Sequence, residues 1–157
     1  MAIAIGSDEA AYELKEVIKA YLIELNQEVE DMGVYDTNPV LYPDIALKVA
    51  EAVADGQYER GILMCGTGLG MAITANKVPG IRAATCHDVY SAERSRKSND
   101  CQILTMGARV VGVEVAKTVV KAWLESEFQG GGSTPKVQRM IDIDNMYHRT
   151  SDSSETV

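Results

Sequence analysis

The 157-residue sequence predicts a three-layer α/β/α fold: a five-stranded parallel sheet with helices on both faces, followed by a C-terminal helical arm. Two observations predict it. Short apolar runs alternate with stretches of helical period along most of the chain, which is the pattern of right-handed βαβ crossovers. Several of these runs give way to Gly, Ser or Asp, residues that end a strand or cap the helix after it.

The first run, Ala2-Ile3-Ala4-Ile5-Gly6, is a strand closed by glycine, with Ser7 and Asp8 placed to cap the next helix. Ala10, Leu14, Val17, Ile18, Tyr21 and Leu25 then recur at three- and four-residue steps, which predicts a helix with one apolar stripe against the sheet. A second strand is expected near residues 28–32. After a loop with Gly33, Asn38 and Pro39, a helix begins at Pro43, runs through Ala46, Val49, Ala50 and Val53, and stops at Asp55-Gly56. The alternation continues with strands at 61–64, 82–85 and 102–106 and helices at 68–77, 90–98 and 112–127. Residues 129–135, QGGGSTP, read as a flexible joint, and Val137, Met140, Ile141 and Ile143 as a last helix. The expected organisation is therefore an α/β domain over residues 1–128, an arm and helix over 129–149 that packs on a partner subunit, and a disordered polar tail over 150–157.

Composition narrows the function. A hydrophobic content of 46% supports a real core, and no apolar run is long enough to span a bilayer. With no leader-like segment either, a cytoplasmic protein is expected. The net charge of −8 disfavours nucleic acid and anionic membranes as partners. Cys65, Cys86 and Cys101 lack CxxC spacing and read as free thiols, while His87 and His148 are too far apart in sequence to suggest a metal site.

The stretch LMCGTGLGMA, residues 63–72, carries the chemistry. Met71 stands where the dinucleotide fingerprint needs its last glycine, and the lysine of a nucleotide phosphate loop is missing. What remains is a strand end passing through glycines into a helix, with backbone N–H groups converging on one spot suited to an oxyanion. Cys65 sits just before this nest, where a thiolate is favoured, and could act as a base; a small buried apolar residue is the competing reading. Asp8 ends another strand of the same sheet, so both could face one crevice at the carboxyl ends of the strands. His87 borders that edge, and Arg109, after the fifth strand, could meet an anion.

These stretches resemble the ribose-5-phosphate isomerase B and galactose-6-phosphate isomerase family of sugar-phosphate isomerases. The resemblance runs through IAIGSDEA, YPDIALKVAEAV, GILMCGTGLGMAITANKVPGIRAA, VYSAERSRKSND, MGARVVG and WLESEFQGG. It implies a Rossmann-like α/β/α fold, no cofactor or metal, a phosphorylated sugar as substrate, and a homodimer or tetramer with active sites at the subunit interface. It further implies that Cys65 moves a proton between C1 and C2, with Thr67 beside it and Gly66, Gly68, Leu69 and Gly70 forming the anion hole. Asp8 and Tyr42 match substrate contacts, Asn99 one donated by the neighbouring subunit, and Arg109 a phosphate contact.

The departures from that pattern bear on the substrate. Ser98 stands where members acting on ribose 5-phosphate usually carry a ring-opening histidine, Glu9 where they tend to have histidine, and Gly132 and Lys136 where they have arginines. Lys136 and Arg139 are left to supply positive charge from the arm. A tetrose 4-phosphate cannot close a furanose ring through its phosphorylated O4 and needs no ring opener, so an erythrose/erythrulose 4-phosphate isomerase is expected. Ribose 5-phosphate is the alternative, with His87 as a replacement ring opener. A non-catalytic sugar-phosphate binder and a thiol redox protein are the competitors from other classes, the latter weakened by the lack of a resolving cysteine at CxxC spacing.

Overall fold

The computed structural model describes residues 2–148; Met1 and residues 149–157, which include the polar tail and the last residue of the arm, lie outside the described residues. Five strands form one sheet: β1 (Ile3–Ser7), β2 (Val29–Asp31), β3 (Arg60–Cys65), β4 (Ala83–Thr85) and β5 (Ile103–Gly107). All neighbours are parallel and the order is β2-β1-β3-β5-β4, a Rossmann-like arrangement. Every connection therefore carries the chain back across a face of the sheet, and helices supply the return.

On one face lie α1 (Tyr12–Glu24), α4 (Val89–Lys97) and α5 (Val113–Leu124); α2 (Tyr42–Ala54) and α3 (Leu69–Ala75) cover the other. The strands alternate to serve both layers. Ile3, Ile5, Ile62, Met64, Leu104 and Met106 point to the first layer, and Ala4, Leu63, Cys65 and Ile103 to the second. No helix of the described residues is long and apolar enough to cross a membrane.

Two expectations shift in register. The buried stripe of α1 is Leu14, Lys15, Ile18 and Leu22, preceded by Ala11, while Ala10 is exposed and Val17, Tyr21 and Leu25 are half-buried. Lys15, outside the predicted stripe, takes a core position because its ammonium reaches both Asp31 oxygens at 2.7 and 2.6 Å. The glycine run expected as a joint is a 3-10 turn at Gly131–Ser133 that feeds directly into α6 (Thr134–His148). On its own chain α6 buries Val137, and Asp144 Oδ2 accepts the Gly80 N–H at 2.6 Å; Met140, Ile143, Met146 and Tyr147 remain exposed.

Candidate active site

A parallel sheet gathers its strand ends, and here the carboxyl ends of β1 and β3 and the turn after β5 open onto one cleft. Its volume is ≈ 270 Å³ and its walls include Asp8, Glu9, Tyr42, Cys65, Thr67 and Arg109. A larger groove of ≈ 370 Å³ outside α2 is lined by Asp44, Glu51 and Asp55 with Lys48, an acidic surface poorly matched to an anionic substrate.

Cys65 is the last residue of β3 and its sulfur accepts the Gly68 N–H at 3.2 Å. That bond is possible because Gly68 adopts the left-handed conformation, φ 78°, at the start of α3. A Cβ there would also lie 2.7 Å from the Met106 carbonyl carbon, so only glycine fits. Gly70 is needed for a different reason: a Cβ would overlap the Tyr42 phenol, which covers the first turn of α3.

The loop uses part of its own hydrogen-bonding capacity. Gly68 N–H goes to Cys65 and Leu69 N–H to Thr67 Oγ1 at 3.3 Å. The two amides expected in the anion hole at Gly68 and Leu69 thus serve the thiol and the turn. The N–H groups of Gly66, Thr67 and Gly70 have no hydrogen-bond partner among the described residues. Among the loop residues lining the cleft, these three are the donors left for an oxyanion.

Asp8 is buried, and its Oδ1 accepts the Ala11 N–H at 3.2 Å, so it caps the 3-10 turn Glu9–Ala11 while lining the cleft. Burial raises its carboxyl above the usual aspartate range against the pull of the Ala11 amide, and the charge of Glu9 adds to the rise. Glu9 in turn accepts the Val40 N–H at 3.2 Å, tying down the loop that delivers Tyr42. Arg109 follows β5; its N–H donates to the Gly66 carbonyl at 3.0 Å, and its guanidinium lies alongside Gly66. The other two thiols are sealed in the interior, where burial pushes Cys86 up to about 11 and Cys101 up to about 12.

His87 borders the cleft edge but is not among its lining residues; its Nε2 accepts the Gly107 N–H at 2.9 Å. That contact occupies Nε2 and leaves the ring proton on Nδ1. Ser98 and Asn99 lie at the other end of the sheet, because α4 runs back from the carboxyl edge and Ser98 is its C-terminal cap. Arg82 Nε donates to the Asn99 carbonyl at 3.1 Å just before β4 begins. The arm leaves from the same end, where the Gln129 N–H donates to the Lys97 carbonyl, and carries exposed Lys136 and Arg139 with it. Strands of five or six residues separate the two edges by roughly 16–20 Å. The structure therefore brings Asp8, Tyr42, Cys65, Gly66, Thr67, Gly70 and Arg109 together and leaves Ser98, Asn99, Lys136 and Arg139 at the far edge of the same chain.

Sequence reasoning missed Thr85 and Thr105. Their hydroxyls reach the Gly68 carbonyl at 3.3 and 2.9 Å from β4 and β5. The available signal was one hydroxyl at matching places in two otherwise apolar strands.

The arrangement has counterparts in known proteins. The family model described as Ribose/Galactose Isomerase matches residues 3–140. A D-erythrulose-4-phosphate isomerase of Pectobacterium atrosepticum is 54% identical over 142 residues, covering 89% of this chain and 93% of that protein. A ribose-5-P isomerase B of Listeria innocua is 56% identical over 144 residues, 92% of this chain and 97% of that one. The structure of Clostridium thermocellum ribose-5-phosphate isomerase B superposes with a TM-score of 0.92 at 50% identity, over 94% of this chain and 99% of its own. Agreement in fold and sequence over this length leaves one assignment: the chain belongs to the ribose/galactose isomerase family.

Proposed function

We propose that the chain interconverts the aldose and ketose forms of a short phosphorylated sugar through a cis-enediolate, with erythrose/erythrulose 4-phosphate as the favoured pair. The observation that carries this reading is the Cys65 sulfur in the cleft, holding one amide proton beside three unpartnered N–H groups. As a thiolate, Cys65 removes the C2 proton of the aldose; the electron pair forms the C1–C2 double bond and O1 becomes an oxyanion. The N–H groups of Gly66, Thr67 and Gly70 meet that charge where it develops. The O2 proton passes to O1, Cys65 returns its proton to C1, and the ketose results. Asp8, its carboxyl raised by burial, suits exchange of the hydroxyl proton. Arg109 faces the phosphate.

One chain supplies only part of this site. Ser98, Asn99, Lys136 and Arg139 reach a cleft only if a second copy places its amino edge against the first copy's carboxyl edge. A homodimer, or a tetramer of such dimers, is the corresponding assembly.

The tetrose preference rests on Ser98, which stands where a ring-opening histidine is usual, and on His87, which does not line the cleft and whose Nε2 is held by Gly107. It also fits the Pectobacterium relative, named for erythrulose 4-phosphate. The Listeria relative favours a second reading, ribose 5-phosphate isomerisation. The test is kcat/KM for both sugars in the native protein, Ser98→His and His87→Ala. The proposal expects the tetrose to be preferred and Ser98→His to raise pentose turnover. Better native turnover of ribose 5-phosphate, abolished selectively by His87→Ala, would overturn it.

A further inference from the structure

Gly68 is held from both sides. Its N–H donates to the Cys65 sulfur, and its carbonyl accepts the Ala72 N–H of α3 at 3.2 Å and, more closely, the Thr105 hydroxyl at 2.9 Å. Thr85 lies 3.3 Å from the same carbonyl and 2.8 Å from Thr105 Oγ1. Each hydroxyl has a single hydrogen, so the shorter bond assigns Thr105 as donor to Gly68 and Thr85 as donor to Thr105. The two threonines are opposite each other in the β4–β5 register, and Thr105 is fully buried. Valine would fill the same space in either strand without a polar atom to satisfy. The hydroxyl pair therefore does something that packing alone does not require.

We propose that Thr105, supported by Thr85, is a positioning residue for proton transfer: it pins the Gly68 carbonyl and so fixes the left-handed turn that aims the Gly68 N–H at the Cys65 sulfur. The same turn carries Gly66 and Thr67, which line the cleft with their N–H groups unpartnered among the described residues. A loop free to rotate at Gly68 would lose the amide from the thiolate and the alignment of the anion hole together, although no threonine touches substrate. The inference rests on Cys65 being the base.

The test combines turnover of erythrulose 4-phosphate with the rate at which iodoacetamide alkylates Cys65 at neutral pH, the labelled site being identified by mass spectrometry. Cys86 and Cys101 are sealed in the interior, where burial pushes their thiols up to about 11 and about 12, and the identified site separates their label from that of Cys65. For Thr105→Val, both alkylation and kcat are expected to fall about three- to tenfold, the weight of one hydrogen bond, with KM nearly unchanged. Thr105→Ser restores both. Wild-type alkylation and wild-type kcat in Thr105→Val would overturn the proposal, as would a loss that serine does not rescue. If Thr105→Val fails to fold, Thr85→Val reads the same effect with the same sign and smaller size, and no change in either readout there overturns it. Turnover retained by Cys65→Ala would instead refute the base assignment, while the alkylation rates still decide whether Thr105 positions the thiol.

Discussion

The two edges of this sheet treat the same side chain in opposite ways. At the amino edge Arg60 and Arg96 are buried and held by protein groups. Arg60 donates to the carbonyls of Trp123 and Leu124 at 3.1 Å and of Ser126 at 3.2 Å, and pairs with Glu127. Arg96 reaches the Cys101 carbonyl at 2.9 Å and Asp100 at 3.1 Å. At the carboxyl edge Arg109 is exposed, forms no ion pair among the described residues, and stands beside three amides without partners. A guanidinium whose donors are met by its own chain closes a fold. One left open beside unpartnered donors has the free capacity that the proposed phosphate would use.

The largest effect that could break this contrast is at the thiol. Cys65→Ala is expected to lose about 10²- to 10⁴-fold in kcat, the usual contribution of a general base, with substrate binding retained. The contrast also predicts complementation. Mixing inactive Cys65→Ala with inactive Asn99→Ala and allowing subunits to exchange places both lesions in one site of a mixed dimer and leaves the other intact. Activity should recover to about a quarter of native, the statistical share of intact sites in random pairing. A mixture that stays inactive after proven exchange would mean that Asn99 does not serve the partner's cleft.

Next in size is Arg109→Met. Loss of a charge-assisted contact worth about 1.5–3 kcal/mol is expected to raise KM about ten- to hundredfold with little change in melting temperature. Arg60→Met should do the reverse. Three carbonyls lose their donor at about 1–3 kcal/mol for each that stays dry, so the melting temperature falls, while kcat per folded molecule is unchanged. Saturation kinetics and thermal melts on both variants check the pair, and any exchange of these two phenotypes would dissolve the distinction between the edges.

The sequence made some of this contrast legible. All five strands and the helices between them can be read from hydrophobic period and glycine punctuation, because those signals are local. The cleft's Cys65, Thr67 and Gly70 are equally local, being consecutive with the strand that delivers them. The order of the strands is not local, since β5 lies between β3 and β4, and the Thr85–Thr105 contact with Gly68 exists only in that order. Lys15 was hidden in the same way. A lysine in a helix reads as surface until the short strand β2 brings Asp31 across to neutralise it.

The smallest expected effect is a matter of pH. Burial raises the Asp8 carboxyl in the folded chain above 3.8, against the Ala11 amide and with help from Glu9. A raised folded value means that the native state binds this proton more tightly than the unfolded chain. The resulting stability is fully present below the unfolded value and lost as pH rises through the folded one, leaving ionised Asp8 a net cost at neutral pH. Asp8→Asn can still accept the Ala11 amide and should melt slightly higher than native at pH 7, with the advantage shrinking toward pH 3. A lower melting temperature at pH 7 would reverse the sign. Its kcat should nonetheless fall, because asparagine cannot exchange the hydroxyl proton.

In the proposed mechanism the Cys65 thiolate, held at the carboxyl edge, carries the proton between C1 and C2. Erythrulose 4-phosphate incubated in D₂O with native protein and with Cys65→Ala, and monitored by NMR at C1 and C2, tests it most directly. Isomerisation is expected with native protein, with solvent deuterium entering C1 or C2 wherever the Cys65 proton exchanges before it is returned, and neither above background is expected with Cys65→Ala. Isomerisation or deuterium uptake by Cys65→Ala at the native rate would contradict it.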